Sequence, residues 1–147
     1  MPAANSILII DDEAYLRSTL AIILKRAGYS VTTADGAQEA LQVLLNNHFD
    51  LVFLDLKMPG KDGMELLPEI RLLDPNLPVL ILTANASLET AIQSMRMGAI
   101  GYLMKPIDPE QIISRVDEII QEEKLESGSG NHRPNLSGEI QNLLGDS

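Results

Sequence analysis

Five side chains of complementary chemistry each follow a short apolar run. Asp11 and Asp12 follow residues 7–10, Asp55 follows Leu51–Leu54, Thr83 follows residues 79–82, and Lys105 follows Gly101–Met104. Three carboxylates gathered at one point would make an all-oxygen site for Mg²⁺, a hard cation that keeps several of its waters. A carboxylate beside such an ion can act as a nucleophile toward a phosphoryl group, giving an aspartyl phosphate. A lysine ammonium and a threonine hydroxyl can meet the phosphoryl oxygens where negative charge accumulates. Taken singly, each residue has an ordinary structural reading. Asp-Asp before a helix caps it and suits its dipole. Asp55 and Thr83 fit turns, Lys105 fits a solvated surface, and Lys105-Pro106 marks a break. Joint placement on one rim is what favours the chemistry.

The elements that would position them are legible as an alternation. Residues 7–10 read as a buried strand, because the run is continuous rather than alternating. Leu16, Leu20, Ile23 and Leu24 form one helical face, which stops at Gly28. Ser30–Ala34 is a second strand, less apolar and so nearer an edge. Ala37, Ala40, Leu41, Leu44 and Leu45 mark a second helix, and Leu51–Leu54 a third strand. Leu66, Leu67, Ile70 and Leu73 give a third helix, in which Pro68 predicts some distortion. Residues 79–82 are the most hydrophobic strand. Ser87 caps a fourth helix with Leu88, Ala91, Ile92 and Met95 inward and Gly98 at its end. Gly101–Met104 is a fifth strand. Asp108-Pro109-Glu110-Gln111 opens the last helix with a cap, an N1 proline and a boxing glutamine. Its apolar face is Ile112, Ile113, Val116, Ile119 and Ile120. Five β–α repeats imply an α/β, doubly wound parallel sheet with helices on both faces. In such a sheet, sites form at the carboxyl ends of the strands near the topological switch point. All five reactive side chains fall on that rim.

Composition narrows the partners. The 147 residues hold 11 Lys+Arg and 21 Asp+Glu, a formal charge of −10. So acidic a chain is a poor binder of nucleic acid or of an anionic membrane. No cysteine is present, which excludes a disulfide scaffold and a thiolate site. The N-terminal stretch has no basic segment and its apolar run is short, unlike a signal peptide or a span. The cytoplasm is the default compartment. After residue 126 the composition changes: residues 127–138 read as a flexible linker and 139–147 as a tail. His48 and His132 read as solvated polar residues.

Four motifs, Ile10-Asp11-Asp12-Glu13, Leu54-Asp55-Leu56-Lys57-Met58-Pro59-Gly60, Leu82-Thr83-Ala84 and Tyr102-Leu103-Met104-Lys105-Pro106, occur in this order and spacing. Together they closely resemble the receiver domain of bacterial two-component response regulators, over about residues 6–125. The resemblance implies a flavodoxin-like five-stranded sheet in the order 2-1-3-4-5 with five helices. It implies that Asp55 is the phosphoacceptor, that Asp12 binds Mg²⁺ directly and Asp11 largely through water, and that the Lys57 carbonyl is a further ligand. Thr83 and Lys105 would hold the phosphoryl oxygens, Tyr102 would be the aromatic switch, and Lys105-Pro106 would be cis, a form that proline permits. A sensor histidine kinase would be the partner. The meeting surface would be the fourth helix, fifth strand and fifth helix, supporting a homodimer.

Two other classes use related parts. A haloacid-dehalogenase-type phosphatase also has an Asp nucleophile and Mg²⁺, but its Asp-x-Asp/Thr motif after the first strand is here Asp11-Asp12-Glu13. A flavin module needs a phosphate cradle where two carboxylates stand. A stand-alone receiver is a further alternative. The final Asn142-Leu143-Leu144-Gly145-Asp146-Ser147 resembles the opening of the ATPase domain of sigma-54-dependent transcriptional activators, which would make transcription the output.

Overall fold

The computed structural model describes residues 4–129. Its elements alternate along the chain as β1 (Ser6–Ile10), α1 (Ala14–Arg26), β2 (Ser30–Ala34), α2 (Ala37–Asn46), β3 (Leu51–Leu54), α3 (Gly63–Leu73), β4 (Val79–Thr83), α4 (Leu88–Arg96), β5 (Gly101–Met104) and α5 (Pro109–Ser129). The strands form one parallel sheet in the order β2-β1-β3-β4-β5. This is the doubly wound arrangement expected, with the less apolar β2 on an edge. The reversal of strand order falls between β1 and β3.

Strand periodicity divides the core into two layers. Ile7 and Ile9 of β1, Phe53 of β3 and Leu80 and Leu82 of β4 pack with Leu16, Leu20 and Leu24 of α1 and Ile112, Val116, Ile119 and Ile120 of α5. Leu8 and Ile10, Val52 and Leu54, and Val79 and Ile81 point the other way. They meet Ala40 of α2, Leu66, Leu67 and Ile70 of α3 and Met95 of α4. Successive side chains of a strand face opposite sides. A strand that is apolar at every position is therefore one covered on both faces.

Some inward faces are narrower than their periodicity implied. Leu45, Leu73 and Leu88 are exposed. They sit in the end turns of α2, α3 and α4, where the sheet no longer lies beneath the helix. On α5, both Ile119 and Ile120 are buried, and only Ile113 of the five apolar residues is partly open. The exposed apolar surface on this side comes instead from Leu88, Met104 and Leu125. α3 is continuous through Pro68, which is exposed and removes a single intrahelical donor. The cap of α5 is a bond from Glu110 N to Asp108 Oδ1. α5 is helical through Ser129, three residues into the stretch read as linker. The rest of that linker, the tail and His132 lie outside the described residues. His48 is exposed and contacts Asp50.

The loop after β3 is held by a close approach. Gly63 opens α3, and its N–H donates to Leu56 O at 2.9 Å. A Cβ on Gly63 would lie 2.0 Å from the Asp55 carbonyl oxygen, so the helix can seat only if no side chain is present. The next turn is fixed by a capping box, with Asp62 accepting from Glu65 N and Glu65 accepting from Asp62 N. Gly63→Ala is expected to lower stability by about 3 kcal/mol or more, because the clash is with backbone rather than a movable side chain. Urea unfolding monitored by circular dichroism would measure it.

Candidate functional site: an acidic cluster at the strand switch point

Strand register assembles the site. Ile10 of β1 pairs with Leu54 of β3, so the next residues, Asp11 and Asp55, emerge side by side. Asp55 N donates to Ile10 O at 3.0 Å, and Asp11 N donates to Ala34 O at 3.1 Å. On the other side, Thr83 of β4 pairs with Met104 of β5, and Lys105 N donates to Thr83 O at 3.0 Å. The Lys105–Pro106 bond is cis, as the resemblance implied.

Asp11 is 2% exposed and Asp55 is 5% exposed, whereas Asp12 faces solvent. One carboxylate oxygen from each of the three lies within 4.8 Å of the others. The Lys105 ammonium spans the pair of buried acids, 2.8 Å from Asp11 Oδ2 and 3.1 Å from Asp55 Oδ2. A third carboxylate, Glu13, reaches it at 3.4 Å. Backbone donors take the remaining oxygens: Glu13 N on Asp11 Oδ1 at 2.9 Å and Lys57 N on Asp55 Oδ1 at 3.2 Å. Arg17 pins the loop by donating to the Asp11 carbonyl at 2.7 Å.

These contacts leave a net negative charge in a poorly solvated place. Burial pushes the Asp11 carboxyl above its ordinary pKa; Lys105 and Glu13 N pull it down, and the charge of Asp55 adds to the rise. For Lys105, burial acts to lower the pKa, but hydrogen bonding and charge from Asp11 and Asp55 outweigh it and hold the ammonium above its usual value. One cation thus serves the two buried carboxylates and Glu13, while the open Asp12 lies beside them without it. An all-oxygen donor set with surplus negative charge fits a hard divalent cation.

The structure brings Asp11, Asp12, Asp55 and Lys105 together. Thr83 is fully buried at the same strand end, with its Oγ1 accepting from Asn85 N at 3.1 Å. The side chain of Lys57 is exposed; it is its backbone that joins the site. Tyr102 is half-buried and turned toward the head of α4. Its hydroxyl lies 2.7 Å from Thr90 Oγ1 and accepts from Ser87 N at 3.4 Å. Ser87 and Thr90 are themselves the two halves of the α4 capping box. Sequence reasoning assigned nothing to Glu13, Arg17, Gly63 or Thr90. Glu13 alone had a signal, its place directly after the Asp pair.

The chain's similarities agree with this geometry. The sequence profile of the response regulator receiver domain matches residues 7–117. The transcriptional regulatory protein GlrR of Escherichia coli is 37% identical over 116 residues, 79% of this chain and 26% of its own length. The alginate biosynthesis transcriptional regulatory protein AlgB of Pseudomonas aeruginosa is 40% identical over 106 residues, 72% of this chain and 24% of its own. Among solved structures, a CheY-like receiver domain protein from Methanospirillum hungatei superposes with a TM-score of 0.81 at 34% identity, covering 84% of this chain and 98% of that one. NtrX from Brucella abortus gives a TM-score of 0.82 at 33% identity, over 88% of this chain and 30% of its own. The chain belongs to the response regulator receiver domain family.

Receiver domains are signalling modules of two-component systems, phosphorylated by histidine kinases and binding Mg²⁺ at an acidic pocket. The present chain spans about a quarter of the length of the curated relatives it matches. Among the described residues no helix is long and apolar enough to cross a membrane.

Like charges crowded without a counter-ion repel one another. Asp12→Ala is therefore expected to abolish Mg²⁺ binding in a calorimetric titration, while the metal-free variant unfolds thermally at a temperature no lower than that of the unsubstituted chain.

Proposed function

We propose that this receiver is a phosphorylation switch with Asp55 as its acceptor, and that its output is the control of transcription. The observation that carries the reading is the Lys105 ammonium lying on the Asp55 carboxylate within reach of Asp11 and Asp12. In the reaction, an Asp55 carboxylate oxygen bonds to phosphorus as the bond from phosphorus to the donor breaks, and the electron pair leaves with the donor. The donor is a phosphohistidine of a sensor histidine kinase. Asp11, Asp12, Asp55 and the Lys57 carbonyl would hold Mg²⁺, which when bound offsets the charge of the phosphoryl oxygens. Lys105 and the Thr83 hydroxyl then donate to those oxygens.

Switching follows from what those donors must move. The Thr83 hydroxyl would donate its hydrogen to a phosphoryl oxygen while its oxygen still accepts from Asn85 N, so the loop after β4 would follow it. A hydrogen bond to a charged group contributes roughly 1.5–3 kcal/mol. Moving an equilibrium from about 1:99 to 99:1 takes about 5.5 kcal/mol. Thr83 alone falls short of that, whereas Thr83 and Lys105 together can supply it. Tyr102 would carry the change outward, since its hydroxyl engages the capping box of α4. The face formed by α4, β5 and α5, where Leu88, Met104 and Leu125 are exposed, would serve as a homodimer surface. Residues beyond α5 would link the receiver to an output domain, a reading supported by relatives that are named transcriptional regulators and are about three times as long.

With a small phosphodonor and Mg²⁺, intact-mass analysis is expected to show one phosphoryl adduct on the chain and none on Asp55→Asn. Equal labelling of that variant would refute the assignment. Sedimentation with and without beryllofluoride is expected to give different association states. An identical monomeric profile in both, at high protein concentration, would remove the proposed interface.

A further inference from the structure

An ammonium group has three N–H donors and no acceptor. In this structure Lys105 has three carboxylates to donate to: Asp11 at 2.8 Å, Asp55 at 3.1 Å and Glu13 at 3.4 Å. The Lys105 side chain is only 11% exposed, so water has little room to replace any of them. Under the proposed function, a phosphoryl oxygen arriving on Asp55 needs a donor from this group, and one carboxylate has to be given up. Asp11 and Asp55 are buried within the cluster. Glu13 is different: its side chain is 58% exposed and its contact is the longest.

Glu13 is also free of structural duty in its side chain. It occupies the N-cap of α1, yet makes no side-chain capping bond. The work of that turn is done by its backbone, through Glu13 N to Asp11 Oδ1 and Arg17 N to Glu13 O at 3.0 Å. The residue is thus anchored at the site by its main chain and, among the described residues, offers its carboxylate to Lys105 alone.

We propose that Glu13 is a positioning residue for Lys105: it holds the ammonium in the unphosphorylated arrangement and is the partner released when a phosphoryl group occupies Asp55. This rests on the assignment of Asp55 as acceptor. The contact stabilises the starting state and is absent when the reaction is complete, so Glu13 slows phosphorylation. Its effect requires reach as well as charge.

The test is the rate of Asp55 labelling by acetyl phosphate and Mg²⁺, with acetate as the leaving group, in the unsubstituted chain and in Glu13→Gln and Glu13→Asp. Both variants are expected to be faster by about two- to fivefold, the scale of an exposed ion pair. Asp is included because it keeps the charge but is too short to reach Lys105. In a Lys105→Ala background, Glu13→Gln is expected to change nothing, as a double-mutant cycle demands. Urea unfolding of both Glu13 variants is expected to show at most the small loss that the same exposed ion pair sets. A second readout needs neither metal nor donor: the Lys105 side-chain ¹⁵N resonance should move in Glu13→Gln. An unchanged rate and resonance in Glu13→Gln would overturn the proposal, as would Glu13→Asp behaving like the unsubstituted chain. Failure of the receiver assignment itself would appear differently, as a lack of Asp55-dependent labelling in the unsubstituted chain.

Discussion

Two buried carboxylates of like charge, Asp11 and Asp55, stand side by side because the strands that carry them are paired neighbours. The reversal of strand order between β1 and β3 creates that neighbourhood, and burial makes it costly. Lys105, delivered from β5 across the width of β4, is the protein's own answer to it. One positive charge against this many negative ones leaves the site unbalanced in the direction of binding a cation. The raised pKa of Asp11 comes first from its burial, and the charge of Asp55 adds to it. Sheet topology and electrostatics are therefore a single constraint, and the rest of the rim is arranged around it.

Rigidity beneath the cluster comes from two apolar layers. β1 and β3 are buried on both faces from Ile7 to Ile10 and from Leu51 to Leu54, so neither strand can slide without moving side chains in both layers. A slip of one residue would exchange the layers and carry the Asp pair away from Asp55. The loop after β3 is fixed by a different means, backbone against backbone, where Gly63 leaves no room for a Cβ over the Asp55 carbonyl. Packing thus sets the position of the carboxylates along the strands, and the glycine contact sets the path of the chain that leaves them.

The fold was legible because the strands are continuous apolar runs ended by chemistry-bearing residues, and each helix carries an apolar stripe. The four residues that converge were legible for the same reason: a position directly after a strand maps onto one rim. Periodicity could not report where a helix overruns the sheet, so Leu45, Leu73 and Leu88 read as inward and are open. Nor could it reveal contacts made by geometry between distant segments. Nothing in the sequence marks Gly63, whose constraint is its close approach to the Asp55 carbonyl. Thr90 looked like an ordinary helix residue, and its bond to Tyr102 spans 12 positions of chain. Glu13 shares its motif with Asp11 and Asp12, but its link to Lys105 lies across 92 positions.

The head of α4 is fastened by hydroxyls, those of Ser87, Thr90 and Tyr102, and the nine-residue helix buries only Ala91, Ser94 and Met95. A single large apolar side chain roots it in the core. Opening such an element exposes little hydrocarbon to water, so its free energy of opening is small beside that of the whole domain. α4 is in this sense a separate cooperative unit. Its amide protons are expected to exchange with solvent through local opening, and those of β1 and β3 only through global unfolding. The chain thus keeps a rigid sheet and a lightly rooted helix within one small domain, and the Tyr102 hydroxyl is the polar contact between the strand β5 and the head of that helix.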